Sequence, residues 1–359
     1  MSGKVLVLAG KTLDKVMPAI RSGRIRAKST GLTSLDPGNC ACTASDVRSI
    51  SLAPLATIVD VTDSNPLHVA VSASELRRDL RGFEFSLFPR EFPAGTLWAL
   101  SPQVLVPSFS RYYVDKARML DFEEAVLLGM ELCGHYAHDV PGNGGSRCEF
   151  LVEPALTYDE LLEYLNAANG MRGIKAARTA ARWVAENSYS PQESILALEQ
   201  YLMPMRGGRG YPKPQLNPTV SVPPDMRDLV ARESFKPDIY WEGLLDLEYD
   251  GGYHVDPAQV ERDKARAADI LALGIPVIQA TRQSLSTRAD AERLGLQVGK
   301  LLESGLGAPM TRKLRRLDDP DLRRARESLH IKLKRIVNPR DFSARDASRR
   351  REFDPWDPC

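Results

Sequence analysis

The sequence predicts an α/β protein in two parts, the second more regular than the first. Over residues 188–305, helical and strand-like patterns follow one another in the order α-β-β-β-α-β-α. Over residues 46–187, four strand-like runs separated by Pro, Gly, Asp and Asn lead into an apolar helical pattern. At 359 residues the chain is long enough for two domains and a sizeable core.

Composition narrows the class. Hydrophobic residues at 43% and charged residues at 26% are ordinary for a globular chain, and a net charge of +1 favours neither a polyanionic nor an acidic partner. No apolar run approaches the ~18 residues that span a bilayer, and residues 5–9 are too short for a signal-peptide core. Five cysteines, an odd number spread over the chain, make no disulfide framework. The expectation is a reduced, cytoplasmic protein with no membrane partner.

Residues 1–45 carry no domain assignment. Residues 5–9 suit a short strand or a helix start. Leu13, Val16, Met17 and Ile20 have helical spacing, and the basic run 21–28 reads as a solvated face before a phosphate contact. In the 46–187 domain the strand candidates are 55–61, 68–71, 83–88 and 96–101, and one helix is expected over 113–134. Cys133, His135, His138 and Cys148 cluster, but Cys133-x-His135 is tighter than structural zinc spacing. A buried cysteine at a helix end, with surface histidines, is the favoured reading, and Cys40 and Cys42 are read the same way. Thr157 and Glu160 form a capping-box pattern that opens a helix. In the next helix, 171–187, Arg172, Lys175, Arg178 and Arg182 read as a solvated face rather than a DNA-facing stripe.

The 188–305 domain opens with Ser190 as N-cap, Pro191 and Glu193 in the first turn. A flexible glycine-rich loop, 207–212, lacks the G-K-[ST] ending of a phosphate cradle. A strand over 215–222 and a charged connection follow. Then come strands over 237–241 and 244–250, a helix over 256–273, a strand over 275–280 and a helix over 284–302. Side chains alternate along a strand, so Glu248 and Asp250 point the same way. If the two strands pair through the Glu242-Gly243 turn, Asp238 lies close to them. Three carboxylates at one edge repel unless a cation or proton intervenes, and all-oxygen ligands suit Mg²⁺, Mn²⁺ or Ca²⁺ rather than zinc. The bland alternative is an exposed acidic hairpin with an Asp-Gly turn.

The pattern P-D-x(9)-E-x-D-G-x-x-H, then D-x-x-R and G-x-x-V-x-x-x-T, resembles the PD-(D/E)XK nuclease superfamily. Within it, the pattern is most similar to the branch related to the very-short-patch-repair (Vsr) endonuclease and bacterial Vsr-like domains. The resemblance covers residues 190–304 at Glu193, Asp238, Glu248, Asp250, His254, Asp263 and Arg266. The earlier half, with P-L-H-V-A-V and P-S-F-S-R-Y-Y-V-D-K-A, resembles AbiEi-like components of type IV toxin–antitoxin systems. The implied fold is a restriction-endonuclease-like core over 188–305, preceded by a mixed α/β AbiEi-like domain.

That resemblance implies Mg²⁺ or Mn²⁺ on Asp238 and Glu248, with Asp250 as a further ligand and Glu193 orienting a metal-bound water. Asp250 stands where the superfamily has lysine. The resemblance then implies His254 as general acid or base, or Lys236 as the missing ammonium, with Arg266 and Lys264 as phosphate contacts. Past residue 306 the chain turns basic (Arg315, Arg316, Arg323 and Arg324 among others), as a helical or disordered tail that contacts nucleic acid or is simply solvated. The expected function is a DNA-binding protein with Mg²⁺-dependent phosphodiester cleavage. The alternative is a non-cleaving regulator or antitoxin with a cognate toxin as partner.

Overall fold

The computed structural model describes residues 3–142, 145–230, 232–250 and 257–337, excluding the side chains of 139–142, 145–147, 257–264 and 337. The chain divides into two compact units, Met1–Glu186 and Asn187–Cys359, and each combines helices with mixed sheet.

In the first unit the strands are β1 (Leu6–Leu8), β2 (Lys28–Ser29), β3 (Leu67–Val71), β4 (Phe83–Leu87), β5 (Leu97–Ser101) and β6 (Val104–Pro107). They form one sheet in the order β2-β5-β6-β1-β3-β4. β1 lies between β6, which runs parallel to it, and antiparallel β3, and all three of its residues are buried. A strand covered on both faces needs no apolar/polar alternation, which explains its uniform composition. The core beneath the sheet gathers Val5, Val7, Val71, Phe88, Leu97 and Leu105 together with Cys40 and Cys42. The helices are α1 (Leu13–Arg21), α2 (Ala44–Arg48), α3 (Phe109–Ala117), α4 (Phe122–Leu132), α5 (Tyr158–Ala167) and α6 (Ile174–Ala181), and β7 (Tyr136–Gly142) pairs with β8 (Gly145–Phe150).

Several local expectations change. The run 55–61 is no strand: Ala53–Leu55 is a 3₁₀ turn in which the Leu55 N–H donates to Leu52 C=O at 2.8 Å. The single helix expected over 113–134 is two, because Asp121 caps α4 and closes a capping box with Glu124. Thr157 and Glu160 form the anticipated capping box on α5. α6 starts late, after Gly173 at φ 95°. From α6, Arg178 turns back to donate to the Leu165 carbonyl (3.0 and 2.7 Å), at the end of α5, so it belongs to no outward stripe. Cys133 is buried at the C-terminal end of α4.

The second unit holds α7 (Pro191–Tyr201), β9 (Gln215–Leu216), β10 (Val220–Ser221), β11 (Ser234–Phe235), β12 (Ile239–Trp241), β13 (Leu245–Asp250), α8 (Pro257–Ala272), β14 (Val277–Thr281), α9 (Arg288–Leu306), α10 (Ala308–Arg316) and α11 (Pro320–Val337). Its main sheet has the order β14-β13-β12-β9, antiparallel at β9/β12 and β12/β13 and parallel at β13/β14. A parallel pair needs a crossover, and α8 supplies it. The expected strand over 215–222 is split: β9 joins this sheet, while β10 pairs with β11 in a separate ribbon.

One further expectation is corrected, and the basic stretch takes the helical of its two expected forms. The loop 207–210 is a packed junction rather than a flexible loop. The Arg209 N–H donates to Glu199 C=O at 3.1 Å, the Gly210 N–H to Leu202 C=O at 2.8 Å, and Gly207, Gly208 and Arg209 are buried. A Cβ at Gly207 collides with the Ala325 carbonyl of α11, and one at Gly208 with the Leu202 carbonyl. The basic stretch is helical through α11 and contributes Met310, Leu314, Leu317, Leu329 and Leu333 to the unit's buried interior.

Candidate functional site

The acidic site is built from the β12–β13 hairpin, the N-terminus of α7 and one face of α8. Tyr240 stands opposite Asp246, and Ile239 opposite Leu247. The pleat therefore puts Asp238, Tyr240, Asp246 and Glu248 on one side of the sheet. α8 covers that side. Its Ile270 packs with Tyr240, Val222, Phe235 and Ile275, and Arg266, one turn earlier on the same helix face, pairs with Glu248.

Asp246 is the residue the sequence reading missed. It is 0% exposed, and neither carboxylate oxygen has a hydrogen-bond partner. Asp238 Oδ2 accepts from the Tyr249 N–H at 2.8 Å. Arg266 also donates to the Lys236 carbonyl at 2.6 Å, which ties α8 to the residue two before Asp238.

Glu193 is buried and fully engaged. Its carboxylate accepts from the Tyr189 N–H, the Ser190 hydroxyl and the Asn217 amide, each at 2.9 Å, while its own N–H donates to the N-cap hydroxyl of Ser190 at 3.1 Å. Asn217 links two parts of the site, because its backbone N–H donates to the Asp238 carbonyl at 3.0 Å. It sits at φ 47°, a conformation asparagine tolerates better than most residues, and the Asn-Pro pair after β9 was the only sequence signal for it.

All four carboxyls are pushed above their ordinary range. Burial raises Glu193 to about 7, with the charge of Asp238 adding to it and its three hydrogen bonds opposing. Burial raises Asp246 to about 6. Burial raises Asp238, against the Tyr249 N–H and Arg266. Glu248 rises through burial and then through the charges of Asp238 and Asp246, and Arg266 pulls it back. A fully neutral Glu248 is at odds with its Arg266 ion pair, so the cluster titrates as one group, and the shared direction is upward. A proton on Glu248 can be shared with Asp246. Without that proton, or a cation in its place, both Asp246 oxygens lack a partner.

The other predicted residues fall elsewhere. Asp250 shares the face of Asp246 and Glu248 but is exposed at the end of β13, opposite Thr281. The buried third carboxylate is therefore Asp246 rather than Asp250. The Lys236 ammonium, expected beside Asp238, lies over the Tyr189 ring, 4.4 Å from its centroid, with the hydroxyl at 2.5 Å. Arg266, read as a phosphate contact, is occupied by Glu248. His254 lies outside the described residues, as does the side chain of Lys264. Arg315, Arg316, Arg323 and Arg324 are exposed on α10 and α11, and Arg324 pairs with Asp321. Lys313 and Arg326 turn inward, to the Gly210 carbonyl and to Glu292.

Among the described residues, no three His, Cys, Asp or Glu side chains are drawn together as a ready coordination set. The donors available at the acidic site are nevertheless of the hard-oxygen kind that Mg²⁺ or Mn²⁺ takes, and Asp246 has two uncommitted oxygens. No helix of the described residues is long and apolar enough to cross a membrane. No family model matches the chain, and comparison with curated proteins and with solved structures returns no match.

Proposed function

We propose that the second unit is a PD-(D/E)XK-type, Vsr-like nuclease module that binds DNA and cleaves a phosphodiester bond with Mg²⁺ or Mn²⁺. The observation that carries this reading is Asp246, wholly buried with two unpartnered carboxylate oxygens, beside Asp238 and Glu248 on one sheet face. At an effective dielectric of about 20, two like charges about 4 Å apart repel by about 4 kcal/mol. Such a cluster takes up protons or a cation. The crossover topology, with two antiparallel pairings and then a parallel one across α8, supports the same fold family.

In this reading Asp238, Asp246 and Glu248 would hold the ion, and a bound Mg²⁺ or Mn²⁺ would supply charge stabilisation at a phosphate and a more acidic water. Glu193, fixed by three donors at the edge of the cluster, is a positioning residue: through Asn217 it ties the N-terminus of α7 to the Asp238 strand. Arg266 would exchange its Glu248 partner for phosphate oxygens, a task its guanidinium fork suits. The exposed arginines of α10 and α11 add salt-sensitive affinity for the strand.

Two observations favour the alternative, a DNA-binding module without cleavage acting as a regulator or antitoxin. Arg266 already compensates Glu248, and an exposed Asp250 stands where a catalytic lysine is usual.

The deciding experiment is Mg²⁺ and Mn²⁺ titration by calorimetry with plasmid nicking on the same samples, for the wild type, Asp238→Ala and Asp246→Asn. The expected outcome is millimolar or tighter binding, with nicking, both lost in the two variants. A wild type that binds DNA yet takes no metal and leaves the plasmid intact makes the non-cleaving reading the correct one.

A further inference from the structure

A second constellation of the C-terminal unit takes no part in the acidic site. α7, α9, α11 and the 207–210 junction enclose a cavity of about 320 Å³, within the range of small-ligand pockets. Its lining includes Arg209, Arg288, Arg323, Arg326 and His330, facing Glu199, Glu292 and Glu327.

Local packing explains how such charges become buried. Gly207 and Gly208 let the chain pass beneath α11, and Gly295 leaves a gap on α9 into which the Arg209 guanidinium fits. Arg209 is 4% exposed and donates to the Ala291 carbonyl at 3.0 Å and to Glu292 at 2.9 Å. Arg326, 5% exposed, clamps the same Glu292 from the other side at 3.0 and 2.7 Å and donates to the Leu317 carbonyl at 2.8 Å. His330, 7% exposed, holds its Nδ1 2.6 Å from Glu199 Oε1. Arg288 and Arg323 are exposed, Arg288 lying 3.4 Å from Glu327.

A purely structural ion network balances its charges and satisfies its donors. This one does neither. Two buried arginines share one carboxylate, and four arginines outweigh three carboxylates. Arg326 Nη1 is a buried donor without a hydrogen-bond partner. An unpartnered buried donor is costly, more so when charged, and an anion with several acceptor oxygens relieves that cost. Arginine forks match tetrahedral phosphate oxygens in geometry as well as charge.

We propose that the cavity between α7, α9 and α11 binds a phosphate dianion, either free or carried as the terminal monoester of a nucleic-acid strand. This site stands independently of whether the acidic cluster cleaves DNA.

The test is calorimetry on the full chain at constant ionic strength in chloride, with three ligands: inorganic phosphate, a short 5′-phosphorylated oligonucleotide and its 5′-hydroxyl twin. The variants are Arg323→Gln and Arg288→Gln, both exposed and checked for an unchanged melting temperature, with Asp246→Asn as the control for the acidic site. The expected result is saturable phosphate binding that weakens about tenfold or more in each arginine variant and is retained in Asp246→Asn. A preference for the phosphorylated strand identifies the strand end as the source. Equal binding of the twins, with phosphate itself bound, identifies the free ion. The proposal is overturned by a wild type that gives no saturable heat with phosphate or the phosphorylated strand, or by arginine variants that bind as the wild type does.

Discussion

At the scale of single residues, Asp246 decides more than any residue picked out by motif. It is an aspartate where strand packing favours an apolar side chain, buried from solvent, with only a proton on Glu248 and the charge of Arg266 to support it. Its rise from the ordinary carboxyl range to about 6 corresponds to about 3 kcal/mol when ionised. Asp246→Asn is therefore expected to stabilise the second unit at pH 8, by about 1–3 kcal/mol in urea unfolding, while abolishing any stabilisation by Mg²⁺. A variant that unfolds at lower urea than wild type at pH 8 shows that the carboxylate has a structural partner after all. Arg266 makes the complementary case. Its ion pair with Glu248 is partly exposed, with side chains 27% and 18% accessible, so the loss in Arg266→Gln is discounted to about 1–2 kcal/mol at pH 8. At pH 5, where the acids hold protons, that loss is expected to shrink; comparing the two unfolding midpoints checks it.

At the scale of elements, the junction at 207–210 shows how glycines set the course of a chain. Gly208 abuts the Leu202 carbonyl, and Gly207 combines φ 86° with an approach to α11 that no side chain permits. Gly208→Ala is expected to cost about 2–4 kcal/mol, because the added carbon meets backbone rather than a movable side chain. Near-wild-type unfolding of that variant means the junction can open without disturbing α11. Glycine-rich composition alone had suggested flexibility. What turns the segment rigid is the Arg209 guanidinium bridging to α9 and the backbone bonds back to α7.

For the whole molecule, the carboxyl shifts set a pH dependence confined to the second unit. Glu193, Asp238, Asp246 and Glu248 all have folded values above their ordinary ones, so the folded state binds more protons than the unfolded chain from about pH 4 upward. Stability is thus fully present near pH 4 and falls as pH rises through about 6 to 7, where Asp246 and Glu193 ionise in the folded state. Residues 187–359, expressed alone, are expected to unfold at lower urea at pH 8 than at pH 5, and millimolar Mg²⁺ is expected to recover part of the difference at pH 8. The first unit, residues 1–186, supplies the comparison. A second unit equally stable at both pH values means the acids are solvated or paired in solution.

Much of the molecule was legible in the amino-acid order. Periodicity sufficed for α1, β3, β4, β5, α8 and the β12–β13 hairpin, and Thr157 with Glu160 announced the start of α5 as clearly as a cap can. These are local preferences, complete within a few residues of chain. The sequence also put Asp238 and Glu248 on one face, since strand alternation requires only a register. Burial is different, because it depends on what crosses above the strand. Asp246, Glu248 and Asp250 share a face, yet only tertiary packing sinks Asp246 and leaves Asp250 in water. The same holds for Arg266, whose partner lies 18 residues away, and for Arg209, Glu292, Arg326 and His330, gathered from separate elements into one cavity. Sequence alone determined the most periodic strands and helices and which way the acids of the β12–β13 hairpin point. The tertiary structure decided which charges lose their water, because desolvation is set by neighbours distant in sequence.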